Sequence, residues 1–564
     1  MKKKQVIAIG LSGIIAASSM TGCGSGSKSS ATAGAADRPQ AAATQAYSPQ
    51  ETYMTEAGAV NGESAYTGME ADGGMAYDRM ADRYQNAYGG EYMNSEEYHG
   101  VAESGFKKVE EHPLSTFSVD VDTASYSNIR RMITRGEEIP QDAVRIEEMI
   151  NYFKYDYKKP EGDIPFAVTS ELSDCPWNPE HQLMLIGMQA KEIDFDNRPM
   201  SNLVFLLDVS GSMYDEDKLP LVQKSFSMLT DELTENDRVS IVTYAGYEQV
   251  VLEGARGDEK VKIREALEGL NAGGSTAGEA GINMAYEMAE KYFIPGGNNR
   301  MILATDGDLN VGVSSEEGLT KLIEEKRKGG VHLSVLGFGT GNIKDNKMEA
   351  LADNGDGNYA YIDNLMEAKK VLVEEMGGTL LTVAKDVKIQ TEFNPSQIAG
   401  YRLIGYENRA LADEDFDDDS VDAGEIGAGH RVTALYEIIR AGTKVPGEVL
   451  KYQSGEKEQK ETEEQTGGAF ENELMTVNIR YKAPNGKESR LISVPVKDET
   501  YQKEMTDNLK FAGAVAEFGM LLKDSSYKGN SSYENVIDLV SGVSQKGMDD
   551  YKDEFKKLVL QVMD

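Results

Sequence analysis

Histidine and cysteine are scarce in this chain. The five histidines, His99, His112, His181, His332 and His430, stand far apart, and none has a cysteine or a second histidine at metal-ligand spacing. That argues against a zinc site and against histidine-based catalysis. Basic residues are outnumbered too: 58 Lys plus Arg face 95 Asp plus Glu, for a formal net charge of -37. Such a surface repels phosphate backbones and anionic head groups, so nucleic acid is a poor partner, while cations and basic surfaces are favoured. Beyond the N-terminus no stretch is long and apolar enough to span a bilayer. What the chain has is length, since 564 residues exceed the roughly 250 to 300 at which a single core stops growing. Several domains are expected.

The N-terminus reads M K K K, then an apolar run V I A I G L S G I I A A S S M, then T G C. A basic end, an apolar core and small residues describe a signal peptide over residues 1–22. Met20, Thr21 and Gly22 before Cys23 resemble a bacterial lipobox, which implies cleavage before Cys23 and acylation of that cysteine. An ordinary secretory peptide with an incidental cysteine is the plainer alternative. Each buried methylene contributes roughly 0.8 kcal/mol, so two or three acyl chains on one residue hold a protein on a membrane stably. Cys175 then has no partner, and the mature chain carries no internal disulfide. The expected location is the extracytoplasmic face of the cell membrane, with acylated Cys23 as the sole membrane contact.

Residues 23–105 are rich in Gly, Ala, Ser, Tyr, Met and acids and poor in Leu, Ile and Val. No core forms from such a composition, so this stretch reads as a solvated tether. Residues 106–200 open with H P L S T F S V D V D T A S Y S N I R R M I, a strand running into a helix capped by Asp122, Thr123 or Ser125. Two alternating strands follow. From 201 to 380 apolar strands alternate with amphipathic helices, the pattern of a mostly parallel sheet covered on both faces, a doubly wound α/β domain. Residues 381–498 return to a period of two, as in an antiparallel sandwich, broken by a charged low-complexity loop at 455–468. Residues 499–564 carry apolar residues at helical spacing and read as a packed helical tail. Whether the strands on the two flanks of the α/β domain build one sandwich is left open by pattern alone.

The stretch Leu203 to Met213, L V F L L D V S G S M, ends a buried strand on a carboxylate. In an open parallel sheet, ligands sit beyond the carboxyl ends of the strands. Asp208, Ser210 and Ser212 stand at i, i+2 and i+4, with Gly211 permitting a tight bend. Thr276 in G G S T A G E A lies in a loop before a helix, and Asp306 in M I L A T D G D closes another buried strand. Three loops thus offer five oxygen-bearing side chains and no nitrogen or sulfur. That set suits a hard cation: Mg²⁺ takes six oxygens at about 2.1 Å and keeps waters readily, and Mn²⁺ is the alternative. Taken singly, each residue reads more readily as a turn or helix cap; together, on adjacent loops, they read as a metal site. The acidic run at 413–422 lacks the glycine and closing Glu of an EF-hand and reads as a solvated loop, leaving calcium binding there undecided. G F G T G at 337–341 lacks the spacing of a dinucleotide loop, and Cys175 and Trp177 read as packed.

The five residues resemble the metal-ion-dependent adhesion site of von Willebrand factor A domains, D-x-S-x-S followed by a Thr and an Asp. Further stretches, among them R I E E M I N Y F, C P W N P, F I P G G N N R and G Y E N R A L A D E D F, resemble the bacterial YfbK-type A-domain lipoproteins over residues 112 to 564. The resemblance implies a metal-dependent binding protein, not an enzyme, whose protein ligand supplies a carboxylate to the metal. Two other functions compete. A Mg²⁺-dependent phosphate-ester hydrolase would use a strand-end Asp, but Ser210 stands where a phosphoaspartyl enzyme has its second carboxylate, and no nucleophile and base are paired. A substrate-presenting partner of an ATPase complex conflicts with export.

Overall fold

The structure, a computed structural model, describes residues 95–563 apart from 120–121, 193–197, 276–277, 308–315, 376–380, 422, 447–469, 471 and 485. The expected signal peptide, Cys23, the tether up to residue 94, Thr276 and the charged loop at 455–468 lie outside the described residues.

The chain enters through two short strands, β1 (Lys107–Lys108) and β2 (Leu114–Ser118), and two helices, α1 (Ala124–Arg135) and α2 (Ile146–Asn151). The long strands β3 (Phe166–Cys175) and β4 (Asn178–Ala190) follow. The expected side-chain cap on α1 is absent: Thr123 occupies the N-cap position without a capping hydrogen bond. Asp122 instead accepts from the Tyr359 backbone N–H at 2.9 Å and from Arg409 at 3.1 Å, and the Ser125 hydroxyl donates to the Ala143 carbonyl. These side chains tie α1 to other parts of the protein, so distant acceptors and donors replace local capping.

The α/β domain is built from β5 (Ser201–Asp208), α3 (Leu219–Asp231), β6 (Arg238–Tyr244), β7 (Glu248–Arg256), α4 (Lys260–Glu268) and α5 (Gly278–Lys291). It continues through β8 (Asn298–Thr305), α6 (Glu316–Lys328), β9 (His332–Phe338), α7 (Asp345–Asn354), β10 (Tyr359–Ile362) and α8 (Leu365–Lys369). The strand order is β10-β9-β8-β5-β6-β7. All neighbours are parallel except β7, which returns antiparallel along β6 at the edge. Every residue of β5 and β8 is buried. Their alternate side chains feed two cores, Leu203, Phe205 and Leu207 on one face and Val204 and Leu206 on the other, which is why these strands are apolar throughout.

The remaining strands are β11 (Thr382–Phe393), β12 (Ile398–Leu403), β13 (Ile426–Gly427), β14 (Arg431–Arg440), β15 (Glu473–Lys482) and β16 (Ser489–Lys497). They form two sheets with strands from the other flank. One runs β1-β12-β14-β4-β3; the other runs β13-β11-β15-β16, with β2 also on β11. Residues Gln182–Gln189 pair antiparallel with Arg431–Ile438, and Leu114 faces Glu392 across β2 and β11. One sandwich is therefore assembled from both flanks, and the α/β segment is spliced into it. Its core includes Phe117, Met184, Ile186, Ile389 and Val477.

The tail comprises α9 (Asp507–Leu522), α10 (Tyr533–Ser541) and α11 (Asp550–Met563). Its apolar faces do not form a separate bundle; Phe511, Phe518 and Phe555 share one core with Tyr126, Met149 and Phe153 of the entry helices. Phe153 and Phe511 meet edge to face with centroids 4.8 Å apart. A buried guanidinium locks the same junction. Arg130 of α1 hydrogen-bonds Asp363 just ahead of α8, Glu367 within α8, Glu554 of α11 and the Tyr152 hydroxyl.

Candidate metal site

Asp208 and Asp306 stand at the carboxyl ends of the adjacent parallel strands β5 and β8, and both are fully buried. The bend after β5 is held by the Ser210 backbone N–H, which donates to Asp208 Oδ1 at 2.9 Å. The Thr305 hydroxyl donates to Asp208 Oδ2 at 3.3 Å. Ser210 and Ser212 bring their hydroxyl oxygens to 3.0 Å of each other. Ser210 is buried while Ser212 is exposed, so the donor set opens to solvent on the Ser212 side.

The loop that carries Thr276 is docked on this bend. Gly211 N–H donates to the Gly274 carbonyl at 3.0 Å, and Gly273 N–H donates to the Val209 carbonyl at 2.8 Å. The approach requires glycine: Gly274 has φ +87°, and a Cβ there would stand 3.2 Å from the Gly246 nitrogen. Residues 273–275 are thereby held beside the Asp208 loop. Thr276 itself is not among the described residues.

Burial pushes the Asp208 carboxyl up to about 6, with the Asp306 charge adding to it and hydrogen bonds from Ser210 opposing it. Two buried carboxylates facing one another are costly unless a cation stands near. One cation is built in. The Lys218 ammonium donates to Asp306 Oδ2 at 3.0 Å, and Lys218 is 5% exposed. Its methylenes cross Gly339, where φ is +73° and a Cβ would lie 2.3 Å from Lys218 Cγ. Sequence reasoning missed Lys218, which lies in the polar stretch Y D E D K L P and has no periodicity to mark it.

Two carboxylates and paired hydroxyls fit a hard divalent ion, and among the described residues no three His, Cys, Asp or Glu side chains gather as an alternative metal group. The described part of the site, Asp208, Ser210, Ser212 and Asp306, thus relies on hydroxyls for its remaining donors. Tyr214, two residues past Ser212, is 79% exposed, and Tyr247, in the turn joining β6 and β7, is 73% exposed.

The other candidates resolve differently. In the acidic run at 413–422, Lys388 of β11 donates to the carbonyls of Asp415 and Asp418, and Arg480 of β15 pairs with Asp417 and Asp419. Lysine and arginine therefore serve the oxygens that calcium would use. G F G T G turns over Lys218 through Gly339. Cys175 is buried at 3% exposure, and burial together with the nearby Glu437 charge raises its thiol far above the usual range. Trp177 donates its indole N–H to Glu437 at 3.1 Å. Both residues are packed in the interior.

Three regions match family models: residues 92–185 the model described as von Willebrand factor, residues 202–374 the von Willebrand factor type A domain, and residues 378–564 the C-terminal part of uncharacterized protein YfbK. The YfbK protein of Escherichia coli strain K12 is 42% identical over 472 residues, covering 82% of this chain and 80% of that protein. Protein sll0103 of Synechocystis is 30% identical over 209 residues, 36% of this chain and about half of that protein, at 48%. Human inter-alpha-trypsin inhibitor heavy chain H3 is 26% identical over 262 residues, 42% of this chain and 28% of that protein. With most of both chains aligned to the E. coli protein and the YfbK C-terminal model matched in full view of an A domain, this chain belongs to the YfbK family.

Proposed function

We propose that this protein binds a partner protein through a Mg²⁺-occupied, or Mn²⁺-occupied, adhesion site formed by Asp208, Ser210, Ser212, Thr276 and Asp306. The observation that carries this reading is the pair of hydroxyls 3.0 Å apart beside two buried carboxylates at neighbouring strand ends. When bound there, a divalent ion supplies an electrophilic coordination position to an incoming carboxylate. Uncharged hydroxyls as ligands leave that electrophilicity largely intact, and the exposed Ser212 side is where a guest would enter. Exposed tyrosines bordering the site suit a protein partner, because Tyr gives a large contact area at low entropic cost. A von Willebrand factor A domain within the YfbK family is in keeping with an interaction role.

Cleavage before Cys23, acylation of Cys23 and a tether over residues 23–105 would present the folded part on the extracytoplasmic face of the membrane. The basic and apolar leader and the small residues ahead of Cys23 support this reading. Affinity capture from envelope extracts in Mg²⁺, with wild type and Asp208→Ala compared, tests the binding function. Partners retained by wild type in Mg²⁺ and lost both in chelator and in the variant are expected. Identical capture under all three conditions removes the metal from the function.

A further inference from the structure

A second polar site lies at the opposite end of β8. Asn298 and Arg300 are two apart on that strand and so point to one face, and Arg300 faces His332 across the β8–β9 pairing. All three line a cleft of about 790 Å³ between the amino ends of the α/β strands and the sandwich residues Lys385 and Lys482. Each has a buried nitrogen without a hydrogen-bond partner: Asn298 Nδ2, Arg300 Nε and His332 Nδ1. Asn298 is 8% exposed and Arg300 3%. A buried donor left unmet is costly; the Asn298 and Arg300 donors converge on one cleft and lack the same partner, an acceptor, and His332 Nδ1 stands with them as a third donor in one tautomer.

The charges sharpen the point. Arg300 donates to the Ser334 hydroxyl at 2.6 Å, but no carboxylate among the described residues lies within ion-pair distance of it. Of the acids of the cleft, Asp356 pairs with Arg327 at 2.7 Å and brings its other oxygen to 3.8 Å from both His332 Nδ1 and Lys385, Asp386 pairs with Lys482 at 2.8 Å, and Asp419 pairs with Arg480 at 3.3 Å. Burial pulls the guanidinium down to about 10, with only the more distant Glu425 and Asp356 charges opposing. In a chain of net charge -37, an arginine buried without its carboxylate is conspicuous. His332 is pushed down to about 3 by burial and by the cations Arg300, Lys385 and Arg327, so its ring is neutral; Nδ1, 3.8 Å from Asp356 Oδ2 and without a hydrogen bond, donates toward a guest in the tautomer that places the proton there.

We propose that Arg300, Asn298 and His332 bind an organic carboxylate in this cleft, the guanidinium edge holding one oxygen through Nε and the amide and imidazole completing the oxyanion. A carboxylate fits better than a phosphate dianion, because Asp356 and Glu425 keep negative charge close by. The volume falls in the range of small-molecule sites rather than that of an inorganic ion. The site is separate from the candidate metal site: Arg300 and Asp306 are six residues apart on an extended strand, roughly 20 Å.

The test is titration of the full chain at constant ionic strength with benzoate, with glutarate, and with alanyl-alanine carrying a free or an amidated C-terminus. The readouts are the Arg300 Nε–H resonance and the melting midpoint. Saturable movement of both by at least one free carboxylate is expected, with loss in Arg300→Met and in Arg300→Lys, the latter keeping the charge without the planar edge. The dipeptide arms separate a chain terminus from a free acid as the source of the carboxylate. No saturable response to any probe, an equal response in Arg300→Lys, or an equal response to chloride or inorganic phosphate overturns the proposal. The Nε–H titration needs only wild-type protein, so it decides the matter even if a variant fails to fold.

Discussion

The Lys218 ammonium lies 3.0 Å from Asp306 Oδ2 with both side chains buried, and the lysine stem is seated on Gly339. A cation intrinsic to the chain therefore balances one of the two strand-end carboxylates before any metal arrives. Removing one member of a buried pair costs about 3–5 kcal/mol. Lys218→Met is expected to melt well below wild type in chelator. With Asp306 uncompensated, its Mg²⁺ affinity is expected to rise about tenfold or more, a change of about 1.4 kcal/mol. Calorimetry on both proteins checks this, and an unchanged affinity would show that Lys218 does not act on the site.

Tyr214 and Tyr247 border the donor set and are largely exposed. Replacing both with Ala is expected to weaken partner capture by about 30-fold or more, since even one aromatic anchor in an interface contributes about 2 kcal/mol. Metal uptake by the same variant should match wild type. Loss of metal uptake would place the tyrosines in the fold of the loops instead.

Arg130 joins α1, α8 and α11 through Asp363, Glu367 and Glu554. Arg130→Met leaves buried carboxylates without their cation and is expected to destabilise the chain by about 3–5 kcal/mol. The entry and tail helices share one core, so chemical denaturation should show them lost together. A variant with wild-type stability would mean that the ring contacts alone hold the junction.

Glu147 is buried against Gly405, and burial pushes its carboxyl up to about 7, with the Glu148 and Glu407 charges adding. The folded state then holds this proton more tightly than the unfolded chain. Its contribution to stability is complete below the ordinary carboxylate value near 4.5 and is lost as pH rises through about 7. At about 1.4 kcal/mol per pH unit, the loss is about 3 kcal/mol. Glu147→Gln should flatten that slope between pH 4.5 and 7, as read from denaturation midpoints. An unchanged slope would place the titration on another group.

Much of the architecture was legible because its signals are local. The apolar run ending in Asp208 reads as a buried strand since β5 is covered on both faces, and the helical spacing of Phe511, Phe518 and Phe555 reads as core. Long-range relationships carried no such mark. Asp122 reads as a helix cap, yet its partner Arg409 is 287 residues away. The pairing of β4 with β14, which makes one sandwich of the two flanks, spans the whole α/β domain. The edge strand β7 passes unnoticed because Glu253 and Gly254 interrupt its alternation. The acidic run at 413–422 invites a calcium reading because Lys388 and Arg480, which satisfy it, come from other strands.

The central claim is that hydroxyls and carboxylates of three loops hold a divalent ion. Calorimetric titration of Mg²⁺ and Mn²⁺ into the chelator-treated full chain, beside Asp208→Ala, tests it most directly. One saturable site in wild type, absent from the variant, is the expected result. Heat indistinguishable from dilution in the folded wild type, for both ions, would contradict it.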